Sequence, residues 1–268
     1  MIIAMASILR VLALLLFFSL DNSGSLALNF KEPTTGMEFV FIKGGCFEMG
    51  DIFDEGEPDE SPVHEVCLDD FYLGKFEVTQ RQWQLLMNNN PSAYKLGDEY
   101  PVEWISWGEA NAYIEKLNQL GDEKFRLPTE AEWEFACRAR GRRLRYGTKT
   151  GELDQSLANY GSGNWGEGDK RDGHKFTAPV GSYPPNALGL YDMSGNVFEW
   201  VSDWKSLNDN YYARSPRKNP QGAKPSVRKV GRGGAWNFGS SHQRCTNRFS
   251  NWPDFHCLSY GFRVVKIP

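Results

Sequence analysis

The sequence predicts one α+β domain of irregular architecture, with short strands and helices set among long loops. Three observations point that way. Aromatics make up 14% of the chain and glycine reaches 27 copies, so many rings need burial while the backbone turns often. Some segments carry helix-start signatures, whereas others alternate apolar and polar residues beside Gly-Gly pairs. No repeat, linker or low-complexity stretch divides the 268 residues, a length that suits one large domain or two small ones. The net charge of −4 and pI near 5.7 exclude a general nucleic-acid binder.

Residues 1–27 read as a secretory signal rather than as fold. Arg10 precedes the apolar run Val11 to Leu20, and a small-x-small site follows at Ser25-Leu26-Ala27. The run is too short to span a bilayer comfortably, so a mature domain over residues 28–268 with no transmembrane span is expected, exported to a periplasmic or extracellular space. Five cysteines (Cys46, Cys67, Cys137, Cys245 and Cys257) then meet an oxidising compartment, where bridges persist. With no CxxC pair, zinc and thioredoxin-like redox chemistry lack support.

Along the mature chain, Met37 to Met49 alternates around Gly44-Gly45 and is expected to form two strands joined or bent there. The acidic stretch Asp51 to Ser61 reads as a solvated loop, and Val63 to Tyr72 as a further strand; Cys46 and Cys67 thus sit on strands that can pair. Thr79 with Gln82 forms a capping-box pattern for a helix that buries Trp83, Leu85 and Leu86. Pro101 to Trp104 is extended. Ala110, Tyr113, Ile114 and Leu117 mark a helix from Trp107 to Leu120, stopped at Gly121. Thr129 with Glu132 starts a third helix through Cys137, and the basic run Arg138 to Arg145 behind it reads as a solvated C-terminal turn. Arg138 to Tyr183 is mostly loop, and loops of that length in a compact domain are usually functional or held by ions or bridges. Val227 to Trp236 and Tyr260 to Ile267 return to strand patterns.

Leu188 to Trp204 fits neither period. Its apolar residues alternate raggedly with Asp192, Asn196, Glu199 and Asp203 around the turn Ser194-Gly195-Asn196. Oxygen donors beside a tight turn suit a hard cation; a polar turn closing an aromatic cluster is the alternative, since calcium needs six or more oxygens.

Taken in order, a set of landmarks resembles the formylglycine-generating enzyme (sulfatase-modifying factor) family, whose domain is a variant of the C-type lectin fold. They are Gly44-Gly45 with Met49-Gly50, Glu77-Val78-Thr79, Pro101-Val102 with Trp107, and the run Arg126-Leu127-Pro128-Thr129-Glu130-Ala131-Glu132-Trp133-Glu134. Gly195-Asn196-Val197 with Glu199-Trp200, Arg232-Gly233-Gly234 and Gly261-Phe262-Arg263 complete the set. The resemblance implies structural calcium at two positions. One uses Asn159 and Asp172 with the carbonyls of Tyr160 and His174; the other uses Asn196 and Glu199 with a carbonyl such as that of Val197. It also implies bridges Cys137–Cys245 and Cys46–Cys67, leaving Cys257 as a free thiol.

The chemistry departs from the family. Its enzymes oxidise a substrate cysteine with copper held by two thiolates, and soft thiolates suit Cu(I) in a way oxygen ligands do not. Counted from Gly233, those positions are Phe238 and Gln243, and the family's serine is Ala235. Copper is therefore not expected. The four histidines (His64, His174, His242 and His256) show no HxH or HExxH spacing, which leaves zinc hydrolysis unsupported.

Between Trp236 and Tyr260 the chain is an aperiodic mixture of rings, small hydroxyls and amides, the palette of adaptable binding surfaces. Candidate ligand contacts are Phe238, Ser240, His242, Phe249, Trp252, Phe255, His256 and Tyr260, with Trp236 assigned to the core. The pattern also resembles the variable C-terminal segment of lectin-fold receptors diversified by retroelements. The expected function is an exported binding module that takes an unidentified protein or small ligand on this segment. An oxidase, of the formylglycine-generating type or another on the same fold, is the alternative.

Overall fold

The computed structural model describes residues 29–162, 173–206 and 211–268. The leader reading for residues 1–27 lies outside them. No helix among the described residues is long and apolar enough to cross a membrane.

The described residues form three sheets. Strands β1 (Phe30–Lys31), β2 (Glu38–Ile42), β5 (Phe71–Gly74), β6 (Phe125–Arg126) and β11 (Val265–Lys266) form a five-stranded antiparallel sheet in the order β1-β2-β5-β11-β6. Strands β3 (Gly45–Met49) and β4 (His64–Leu68) make a separate hairpin whose register sets Cys46 opposite Cys67, and these are bridged. Strands β7 (Phe198–Lys205), β8 (Arg228–Arg232), β9 (Phe249–Asn251) and β10 (Tyr260–Gly261) form the third, in the order β10-β7-β8-β9, with β10 parallel to β7. The bend at Gly44-Gly45 separates β2 from β3 as expected.

Among the described residues, all three α-helices begin at a hydroxyl that caps the N3 amide while the N3 side chain reaches back, which satisfies two otherwise orphaned N–H groups. These are α1 (Gln80–Met87) at Thr79, α2 (Trp107–Leu117) at Ser106 and α3 (Glu130–Cys137) at Thr129. In α1 only one apolar side chain goes fully inward: Trp83 is buried, Leu86 half-buried, and Leu85 is 49% exposed, contrary to expectation. With two turns of helix packed mainly along one edge, the i+2 position from Trp83 faces away. Helix α2 ends at Leu117, three residues short of the expected stop, because the Asn118 amide leaves the helix to bond both N–H and C=O of Phe125.

Helix α3 is buried at every residue, charged ones included. Glu134 meets Arg138 at 2.9 Å and Arg232 at 2.7 Å, while Glu130 meets Arg248 at 2.7 Å. Arg138 is thus an interior ion-pair partner, not part of a solvated turn. The acidic loop departs in the same way. Glu60 is fully buried against Arg244, 2.7 Å away, because a carboxylate 184 residues from its partner finds it only through the fold. Pro101 to Trp104 is extended only in part: Trp104 adopts a left-handed φ of 62° as its N–H reaches the Cys257 carbonyl.

Among the described residues no strand or α-helix lies between Cys137 and Phe198. Cross-links hold this region instead. The Cys137–Cys245 disulfide joins α3 to the C-terminal segment across 108 residues, and Ser194 accepts from the Gly147 N–H while donating to the Gln243 carbonyl. A loop of that length corresponds to about 4–5 kcal/mol of chain entropy, an upper figure. Two disulfides are consistent with an exported protein. Cys257 is the free cysteine. Alkylation of the unreduced protein should therefore label Cys257 alone, with peptide mass mapping as the check; recovery of Cys257 in a bridge would overturn the pairing.

Candidate functional site

The third sheet ends in an aromatic wall. Parallel pairing puts Tyr260 opposite Phe198, and β8–β9 pairing puts Phe249 opposite Gly231 and Ser250 opposite Val230. The Phe198 ring then stacks on Phe249 at 4.9 Å and on Tyr260 at 5.2 Å, with Phe238 edge-on at 4.9 Å. Gly231 is needed for this approach: a Cβ there would lie 2.7 Å from the Tyr260 ring. Phe238, Phe249 and Tyr260 bound a cavity of about 240 Å³, which Phe255, Ser250, Asn251, Cys257 and Arg228 complete, with Phe198 packed behind them.

The loop carrying Phe238 is held from inside. Gln243, fully buried, donates its amide to the carbonyls of Ala235 at 3.1 Å and Phe238 at 2.8 Å. The other wall rests on the segment that leads into α2: Trp104 N–H bonds the Cys257 carbonyl and Trp107 N–H the Pro253 carbonyl, each at 3.0 Å. Beside that support, Glu103 accepts from the Tyr94 N–H at 2.6 Å through one oxygen, and among the described residues its other oxygen has no partner. Burial pushes its pKa up to about 7.

Of the eight expected ligand contacts, the fold brings Phe238, Phe249, Phe255 and Tyr260 together around this cavity. His242 packs edge-on to Phe238 at 5.1 Å, and burial with the nearby Arg244 holds its pKa below the ordinary value. Trp252 is 50% exposed outside, its ring under the Arg228 guanidinium at 4.8 Å. Ser240 is exposed away from the lining, and His256 is exposed and paired with Glu109 at 2.7 Å. Tyr260 is a core residue that shows one edge to the cavity, being 1% exposed. The contacts that sequence reasoning missed are Arg228, Ser250, Asn251 and Cys257. The last three lie inside the segment already singled out, whereas Arg228 reaches the cavity only through β8–β9 pairing.

The expected cation ligands fall around one polar knot. Asn196, at φ 63°, donates to Glu77 at 2.6 Å and accepts from the Ala178 N–H at 2.9 Å; the Val197 N–H reaches the other oxygen of Glu77 at 3.1 Å. Gly195 lets this turn lie against the Asn159 carbonyl, which accepts from the Asn196 N–H at 2.9 Å. The Asn159 amide nitrogen goes to the Phe176 carbonyl at 2.9 Å and to the Asn196 amide oxygen at 3.5 Å. Tyr160 and His174 border the same loop, His174 with its ring 6.4 Å from Tyr183; Asp172 lies outside the described residues.

Glu199 is placed differently. Its carboxylate receives Arg263 through both oxygens at 2.6 and 2.7 Å, and the Trp133 indole at 2.7 Å. Two further carboxylates that sequence reasoning did not assign, Glu77 and Asp192, lie in the same electrostatic neighbourhood. Burial, with repulsion from Asp192 and Glu199, pushes Glu77 well above the usual carboxylate range, and burial, with repulsion from Glu199, pushes Asp192 up to about 6. Glu77 and Glu199 are buried and Asp192 is half-buried around the guanidinium of Arg263. Among the described residues, the one group of three or more His, Cys, Asp and Glu side chains within ligating distance of one another is Cys46, Glu65 and Cys67, where both thiols are bridged.

The family described as "Sulfatase-modifying factor enzyme 1-like domain" matches residues 26–267. The chain belongs to that family. The formylglycine-generating enzyme of Streptomyces coelicolor is 32% identical to it over 293 aligned residues, covering 88% of this chain and 91% of its own. The serine/threonine-protein kinase pkn1 of Chlamydia caviae is 34% identical over 254 residues, covering 85% of this chain; the chain spans only 38% of that protein's length. Among solved structures, PvdO from Pseudomonas aeruginosa superposes with a TM-score of 0.78 at 26% identity, over 92% of this chain and 100% of that one. The irregular α+β architecture is thus that of the formylglycine-generating-enzyme and C-type-lectin-like fold.

The site's electrostatics and packing lead to two expectations. Tyr260→Ala should lower stability by about 3–5 kcal/mol, as for a fully buried ring, while Trp252→Ala should stay within about 1 kcal/mol. Thermal melts of the two variants check this; equal losses would contradict the placement. For Glu103, the folded pKa is raised above the unfolded value near 4.5, so its contribution is fully present below that pH and is lost as pH rises through about 7. Glu103→Gln should therefore flatten the fall in stability between pH 4.5 and 8, measured by denaturant titration.

Proposed function

We propose that this domain is a binding module of the formylglycine-generating-enzyme family. It takes a ligand in the aromatic cavity and does not oxidise cysteine by the family's copper route. One observation carries the reading: the two positions that would supply thiolates hold groups already committed to structure. Phe238 is a wall of the cavity, and Gln243 ties down the loop that bears it. Neither a phenyl ring nor a carboxamide replaces a soft thiolate for Cu(I). Phe238, Phe249, Phe255 and Tyr260 supply apolar area, and Ser250 and Asn251 supply polar groups that orient a ligand. Export supplies the oxidising setting that the two bridges suit. The sensitive test incubates the purified protein and copper with a peptide containing a Cys-x-Pro-x-Arg core. No aldehyde should form, and its appearance would overturn the reading.

Calcium is the ion this family role implies, and its part here is structural. Asn159, Asp172 and the carbonyls of Tyr160 and His174 would hold one ion. Near the turn of Asn196 and Val197, the charge of Glu77, Asp192 and Glu199 would be relieved by a second. The ion supplies positive charge where loops without regular structure gather carboxylates. Binding to the folded state alone adds about 2.7 kcal/mol at a hundredfold excess over Kd. Chelation should lower the melting temperature, and Asp172→Ala should lower it as well and reduce the chelator's effect. An unchanged melt together with no bound calcium in elemental analysis would remove the ion from the account.

A further inference from the structure

The cavity has one charged side chain in its lining, Arg228, and no carboxylate. Among the described residues Arg228 has no ion-pair partner, and its Nε is buried without a hydrogen bond. The guanidinium carbon lies over the Trp252 ring, 4.8 Å from its centre, a cation–π contact that leaves Nε without an acceptor. A buried donor left without an acceptor is costly, and a planar guanidinium matches a carboxylate's two oxygens better than any neutral group does.

Size and charge narrow the occupant further. A cavity of about 240 Å³ lies below the usual range for drug-sized ligands, which admits a single substituted ring and excludes a folded peptide segment. Aromatic cages often select cations. Here Arg228 in the lining repels them. The rings of Phe238, Phe249 and Phe255 stand ready to stack on, or meet edge-on, a flat ligand.

Resting on the binding reading above, we infer that the cavity takes a single-ring aromatic carboxylate, its ring among Phe238, Phe249 and Phe255 and its carboxylate on Arg228. The probes that test this are 4-hydroxybenzoate and its neutral counterpart 4-hydroxybenzamide, titrated calorimetrically into the full-length mature protein. The benzoate should bind at least tenfold more tightly than the amide. Arg228→Gln should erase that preference with an unchanged melt, Phe249→Ala should weaken both probes about tenfold or more, and bound benzoate should slow alkylation of Cys257.

Equal affinity of the two probes for the native protein, or a preference that survives Arg228→Gln, overturns the anion assignment while leaving the cavity as a binding site. Failure of both probes to bind, or binding that neither responds to Phe249→Ala nor protects Cys257, overturns the cavity reading itself. The comparison of the two probes on native protein decides the charge question even if a variant folds poorly.

Discussion

The structure turns on the buried pair Glu199–Arg263. Arg263 comes from the tail just before β11 and gives two bonds to Glu199 on β7, one to the Gly74 carbonyl at the end of β5 and one to the Tyr191 carbonyl. Glu199 also receives the indole of Trp133 from α3. One ion pair therefore joins two sheets, the central helix and the turn that precedes β7. Both side chains are 0% exposed. A buried pair is worth having only when nearly every donor and acceptor is met, and removing one partner alone would leave an uncompensated charge costing about 3–5 kcal/mol.

The same device recurs around α3. A helix buried on all sides would ordinarily be apolar, yet this one carries Glu130, Glu132 and Glu134, and each is answered by arginine: Arg248, Arg126 at 2.6 Å, and Arg232 with Arg138. Side-chain networks thus do in this fold what ladders and helix faces do in more regular ones. They also divide the molecule by role. The polar network fixes Arg232 at the end of β8 and Arg244 to Arg248 behind the loop, while the cavity side of the same segment stays lined by rings and small polar groups.

Much of this was legible from local pattern. Thr79 with Gln82 and Thr129 with Glu132 announced their helices because capping chemistry is confined to four consecutive residues. The strands at Gly44-Gly45 and the ordered family landmarks were equally plain. Misreadings came where a local rule met a distant partner. Glu60 and Arg138 looked solvated because nothing within a few residues neutralises a charge for Glu60, and because Glu134 one turn before Arg138 reads as a surface pair unless the helix is known to be buried. Leu85 looked buried because a two-turn helix offers too few positions to define a face.

By itself, the sequence determined the composition of the molecule's chemistry: the family frame, the cysteines available to bridge, and the absence of thiolates at Phe238 and Gln243. It marked residues 236–260 as the segment to watch but could not rank them, since a stretch without a period carries no information about facing. Only the tertiary structure decided that Phe238, Phe249, Phe255 and Tyr260 converge while Ser240 and His256 point elsewhere, and that Arg228 joins them from another strand. It alone brought Glu77 within reach of Asn196, 119 residues away. The physical reason is common to both cases. Side-chain chemistry is written locally, whereas a cavity and a charge cluster are properties of long-range pairing, which short-range pattern does not encode.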